Sequence, residues 1–89
     1  MIMSTLKEPI LNVLNKTYEA SAMIELKFKR YDLAIRTDAL GRPVLLFIGE
    51  KDAGGQIKGE RFARRLVVDA DGKVVKDHWD HKGKATAQL

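Results

Sequence analysis

The stretch MIELKFKRYDLAIRT, Met23–Thr37, decides what kind of chain this is. Within it Ile24, Leu26 and Phe28 alternate with Glu25, Lys27 and Lys29, and Leu33 and Ile35 alternate with Asp32, Ala34 and Arg36. A period of two sends successive side chains to opposite faces of an extended backbone, so this stretch is two strands, each with one apolar face. Beyond it, Val44–Ile48 is apolar on both faces, as a central strand is. Three segments, TDALGRP, DAGGQ and DADGK, place a glycine after an aspartate and mark turns between strands.

The registers of the resulting hairpins test one another, because a one-residue slip turns every side chain to the wrong face. A loop over Lys29–Asp32 pairs Phe28 with Leu33 and Leu26 with Ile35, and one over Asp38–Gly41 pairs Ile35 with Val44 and Leu33 with Leu46. A loop over Ala53–Gly55 pairs Leu46 with Phe62. One over Asp69–Gly72 pairs Leu66 with Val75 and Phe62 with Trp79. All agree on one inner face: Ile24, Leu26, Phe28, Leu33, Ile35, Val44, Leu46, Ile48, Phe62, Leu66, Val68, Val75 and Trp79.

Before Met23 the period is helical. Ile10, Leu11, Leu14 and Tyr18 recur on one side, with Asn12, Asn15, Lys16 and Glu19 on the other. Thr5-Leu6-Lys7-Glu8 has the form of a capping box, whereas Pro9 prefers the first helical position and disfavours helical geometry at Glu8. The expected fold is therefore a single α+β domain over 1–89. A helix at about 5–19 packs on one face of a five-stranded antiparallel β-meander. The strands fall at about 23–28, 33–37, 43–50, 57–68 and 73–80, and 82–89 is a flexible polar tail.

Composition narrows the chemistry. With 89 residues, 45% of them hydrophobic, the chain can build one small core. It has no cysteine, which excludes disulfides, thiolate catalysis and sulfur-ligated metals. The start, Met1-Ile2-Met3-Ser4, lacks the basic and apolar segments of a signal peptide, and Val44–Ile48 is too short to span a bilayer. The expectation is a cytoplasmic chain with no membrane partner. The net charge of +4 arises wholly within residues 23–68, where ten Lys/Arg face six Asp/Glu. So mild a surplus is compatible with an anionic partner and does not require one.

One stretch resembles chemistry. DADGKVVKDHWDHKGK, Asp69–Lys84, holds both histidines and the only tryptophan. In the expected register Asp77 faces Arg64 and Asp80 faces Arg61, the usual cross-strand charge device. Asp69 and Asp71 supply turn chemistry. His78 and His81 point to opposite faces of a strand, and a zinc site needs three or four protein ligands. Serine and threonine sit in no nucleophile elbow, and no glycine-rich phosphate loop precedes a helix. The expectation is a hairpin, with no cofactor and no metal; no catalytic residue is assigned, and whether the chain is an enzyme stays open. Arg64 is the exception to the pattern, because its parity aims a cation at the core. It is either an edge arginine reaching outward to Asp77 or an anion site between helix and sheet.

The helix-free face carries the functional expectation. Leu45 and Phe47 sit mid-sheet there, with basic groups around them and no second helix to cover them. One reading makes this face a protein-interaction or homodimer surface with Leu45, Phe47, Val67 and Val74 at its centre. Another makes it a platform for single-stranded nucleic acid or another polyanion. Phe47 then stacks a base, and Lys27, Arg36, Arg61, Arg65 and Lys76 track phosphates. A third lets a curled sheet close Leu45 and Phe47 under the C-terminal residues.

Overall fold

A computed structural model describes residues 6–88. Helix α1 (Glu8–Leu14) precedes strands β1 (Met23–Phe28), β2 (Tyr31–Thr37), β3 (Pro43–Lys51), β4 (Ile57–Val68) and β5 (Val74–Ala87). The strands form one sheet in the order β1-β2-β3-β4-β5, each antiparallel to its neighbours. The chain is thus α+β, with its N-terminal helix on one face of a five-stranded meander. Ile10 and Leu14 of α1 pack with Leu33, Ile35, Leu46, Ile48 and Phe62. No helix among the described residues is long and apolar enough to cross a membrane.

The helix is about half its expected length. Lys7 is its N-cap and makes no side-chain cap; the capping box expected at Thr5 lies outside the described residues. At the other end the chain leaves helical geometry because tertiary partners claim its backbone. Tyr18 N–H donates to Gly41 O at 2.8 Å and Ser21 N–H to Asp38 O at 2.8 Å, while the Tyr18 hydroxyl donates to Val13 O at 2.7 Å. Thr37, buried, closes the junction: its hydroxyl donates to Glu19 O at 2.6 Å and accepts from Ala22 N–H at 3.0 Å. Helical periodicity through Tyr18 therefore reflects a segment docked on the β2–β3 turn rather than another turn of helix.

The three glycine turns share one design. In each an aspartate carboxylate, at Asp38, Asp52 and Asp69, accepts from the amides two and four residues on at 2.9–3.0 Å. The glycine at the fourth position, Gly41, Gly55 or Gly72, has φ of +80, +84 or +81°. Aspartate mimics a backbone turn, and glycine takes the left-handed conformation without penalty.

Registers differ from expectation by even steps, which preserves faces. Leu46 pairs with Phe62 as expected. The β1–β2 turn is tighter than assumed, with Lys29 at φ +54° and Phe28 opposite Tyr31, so Leu26 faces Leu33 and Ile24 faces Ile35. An irregularity at Arg36/Thr37 sets Ile35 on Leu46 and Leu33 on Ile48, and another at Val67/Val68 sets Phe62 on His81 and Arg64 on Trp79.

Two expectations are overturned at the sheet's ends. Residues 82–87 are not a flexible tail: β5 continues to Ala87, which pairs with Ile57 and is 4% exposed. Conversely, Val68 and Val75 are 47% and 60% exposed rather than part of the inner core, because the short helix cannot reach them. The β4–β5 ribbon projects past the core. A strand of fourteen residues spans about 46 Å, which accounts for the 45 Å longest dimension of the molecule.

The sheet also curls. Gly49 and Gly59 face each other, and a Cβ on either would lie 2.0–2.1 Å from a carbonyl oxygen of the opposing strand. That approach lets the end of the β3–β4 hairpin fold over the helix-free face. Ile57 lies four residues from Arg61, the partner of Phe47, or about 13 Å along a straight strand. It nevertheless joins Ala34 and Ala87 in a buried cluster against which Met23 and Phe47 pack.

Gly41 and Gly55 allow a matched test, since both have positive φ but only Gly41 has a neighbour in the way. A Cβ at Gly41 would lie 2.1 Å from Tyr18 O, and one at Gly55 meets nothing within 4 Å. Gly55→Ala should cost about 1 kcal/mol, the backbone term alone, lowering Tm by roughly 4–8 °C. Gly41→Ala should cost at least about twice that, because the docked Tyr18 segment must shift. Equal melting temperatures for the two variants would contradict this packing.

Candidate functional site

Arg64 organises the helix side of the sheet. Its side chain is 7% exposed, so it does not snorkel outward. Nε donates to Asp77 Oδ1 and Nη2 to Asp77 Oδ2, both at 2.6 Å, a two-pronged pair that matches guanidinium to carboxylate. Nη1 donates to Leu14 O at 3.2 Å and to Pro43 O at 3.1 Å, and Nη2 also reaches Asn15 Oδ1 at 3.2 Å. The guanidinium lies 5.5 Å from the Trp79 ring centre. Arg64 faces Trp79 in register and reaches Asp77 diagonally, so the expected direct opposition of Arg64 and Asp77 gives way to a pair across the ribbon. An exogenous anion has no place here. The helix C-terminal carbonyl and Asp77 already use the donors, and a cation at a helix C-terminus is where the helix dipole favours one.

Beside this centre, a cleft of about 480 Å³ opens along β5, lined by Leu6, Leu11, Phe62 and every residue from Asp77 to His81. Glu60 lies against His81, one of the lining residues. It is 8% exposed, and its Oε2 is 3.4 Å from His81 Nε2. Glu60 Oε2, His81 Nε2 and Trp79 Nε1 are buried and make no hydrogen bond among the described residues. An acid–base pair must touch the proton it moves. Here the facing atoms are turned from solvent, Glu60 Oε2 and His81 Nε2 alike. Sequence reasoning passed over Glu60, although the Leu46–Phe62 register places it beside Ile48 on the inner face.

The two histidines occupy opposite faces. His81 tilts against Phe62 with ring centres 5.0 Å apart, whereas His78 is exposed and lies 2.9 Å from Asp80. Asp80 therefore does not pair with Arg61; its register partner is Ala63. Among the described residues no three His, Asp or Glu side chains gather in a metal-binding arrangement.

On the helix-free face the residues expected to form one surface divide into two. Leu45 and Phe47 are half-buried, Phe47 against the Ala34–Ile57–Ala87 cluster. This corrects the expectation of an open apolar centre there: curl closes much of it. Val67 and Val74, each 41% exposed, lie on the ribbon. Val67 is four residues beyond Ala63, the partner of Leu45, and the Arg65–His78 row lies between. With Val68 and Val75 they make the apolar end of the ribbon, two of whose members the sequence assigned to the core. Of the basic residues, Lys27 approaches Asp32 at 3.7 Å. Arg36, Arg61, Arg65 and Lys76 are exposed and make no ion pair among the described residues. No known protein family matches the chain, and neither a curated protein nor a solved structure shows significant similarity to it.

The Arg64 centre has two measurable consequences. Removing a charge partner from a buried pair is costly, so Arg64→Ala should destabilise the fold by about 2–4 kcal/mol, the solvent contact of Asp77 softening the loss. The hydrogen bonds from Arg64 hold the Asp77 carboxyl below its ordinary value, against a smaller opposing effect of burial. A depressed carboxyl stabilises the fold above its unfolded value, about 3.9, and that contribution is lost as pH falls through the folded value. Tm of the wild type should therefore fall more steeply with acid than Tm of Asp77→Asn. Parallel acid branches would contradict the assignment.

Proposed function

We propose that this chain is a non-enzymatic interaction module that self-associates, or meets a protein partner, through the projecting β4–β5 ribbon. A single observation supports the reading: Val67, Val68, Val74 and Val75 are 41–60% exposed together at the end of a ribbon that no other element covers among the described residues. Valine is a core residue by preference, and four exposed on one projecting element, Val67 and Val74 by parity on the helix-free side and Val68 and Val75 on the other, present more apolar surface than scattered single residues do. Arg65, Lys73 and Lys76 supply a charged rim, the composition usual around an apolar contact. The half-buried Leu45 and Phe47 belong to the margin of this surface instead of its centre.

Single-stranded nucleic acid or another polyanion is the second reading, supported by exposed Arg36, Arg61, Arg65 and Lys76 on one face, which make no ion pair among the described residues. It is the weaker of the two because base stacking wants an open ring, and Phe47 packs against Ile57 and Ala87.

Sedimentation across a concentration series separates the readings. Wild type should associate, and Val67→Glu combined with Val74→Lys should stay monomeric with Tm little changed, since exposed substitutions shift stability by only about 0.5 kcal/mol. Association should persist in high salt. A wild type that is monomeric at millimolar concentration, yet binds an oligonucleotide with affinity falling steeply with salt, would replace this reading with the second.

A further inference from the structure

We infer that the partner is a second copy of the chain, added edge to edge along β5 about a twofold axis through His78, so that two sheets become one ten-stranded sheet. This rests on the ribbon being the contact surface, and names what meets it and how. The sheet order ends at β5, which leaves one side of a fourteen-residue strand without a β-partner among the described residues. A strand edge presents unpaired N–H and C=O groups and is a template for another strand. The opposite edge, β1, has only six residues.

Charge selects the occupant and the register. A twofold axis perpendicular to the sheet keeps each face continuous, so opposed residues must share parity. The axis therefore passes through a residue position. Centred on His78, antiparallel pairing sets Lys76 opposite Asp80 of the second copy, and Asp80 opposite its Lys76. Both pairs fall on the helix-free face by parity, where, among the described residues, Lys76 makes no ion pair and Asp80 is paired with His78. The adjacent registers carry like charges, and an axis at His81, which opposes Asp80 and Lys82, has to pair through the kink at Gly83, whose φ is +90°. An axis at Asp77 opposes two aspartates, one at Trp79 sets Lys76 against Lys82, and one at Asp80 opposes two aspartates and sets Lys76 against Lys84. Opposite charges directly across strands stabilise pairing and like charges oppose it. The same register brings Val75 of the second copy opposite His81, beside the cleft that Leu6 and Leu11 line. A heterologous strand would have to supply this alternation of charge by chance; a second β5 supplies it by symmetry.

Charge exchange tests the pairing. Lys76→Asp alone sets aspartate against aspartate at both sites, and Asp80→Lys alone sets lysine against lysine. Each should weaken the homodimer by about tenfold or more. An equimolar mixture of the two single variants should form a heterodimer, since both sites then oppose lysine and aspartate, and Lys76→Asp with Asp80→Lys in one chain should restore the homodimer. The chain has no cysteine, so position can be read directly. Antiparallel residues directly opposite have Cα atoms about 4.5–5.5 Å apart, within disulfide range. Under mild oxidation His78→Cys should give a covalent dimer, whereas Arg65→Cys, one strand inward, should not. A wild type without self-association overturns both this inference and the ribbon reading beneath it. A wild-type dimer in which Cys at 78 fails to link, or in which the charge variants neither weaken nor rescue, overturns the β5 pairing alone.

Discussion

The guanidinium of Arg64 is the constraint on which the helix side of this protein depends. A helix of seven residues has little stability of its own, and it has no side-chain N-cap. It holds its place because Ile10 and Leu14 insert into the sheet's core, and because Arg64 bonds the Leu14 carbonyl, Asn15, Pro43 and Asp77 at once. One side chain thus joins the helix end, the start of β3 and both strands of the ribbon. Arginine alone offers a planar fork of donors that can reach so many acceptors while remaining charged. Lysine would bring a single point charge and leave buried carbonyls unanswered.

Short helix and long ribbon are two sides of one balance. Because α1 ends at Leu14, the inner face of the sheet is covered only as far as Trp79, and β4 and β5 run on beyond it. Their valines are exposed because no other element among the described residues covers them, not for any peculiarity of their own sequence. On the opposite face the reverse holds. Strands that looked bare are partly closed by curl at Gly49 and Gly59, where absent side chains let two backbones approach. Apolar surface is therefore displaced from the centre of the sheet to the end of the ribbon, and the candidate contact surface moves with it.

Most of the architecture was legible in the chain. Alternation in Met23–Thr37 marks strands, the D-A-x-G segments mark turns that aspartate carboxylates do close, and Leu46 meets Phe62 as turn length requires. The candidate site was legible only in part. Parity puts Arg36, Arg61, Arg65, Val67 and Lys76 on the helix-free face, and Arg64 and Glu60 inward. Parity does not say how far a strand extends past its cover, which is why Val68 and Val75 read as core and are not.

What the sequence determined by itself is therefore local: which residues alternate, where the chain must turn, and which side of a strand each side chain takes. These follow from backbone geometry with a period of two or 3.6, and even-step errors in register leave them intact. What only the tertiary structure decided is where periodicity stops being obeyed. Tyr18 leaves the helix because Gly41 offers its amide a carbonyl. Residues 82–87 become strand because Ile57 and its neighbours offer a ladder and a place to bury Ala87. Phe47 loses exposure because Ile57 and Ala87, brought together at the far end of the sheet, pack against it. Each outcome is a competition between a local preference worth tenths of a kcal/mol per residue and a long-range contact worth about 1 kcal/mol or more, and only the assembled fold contains the second term.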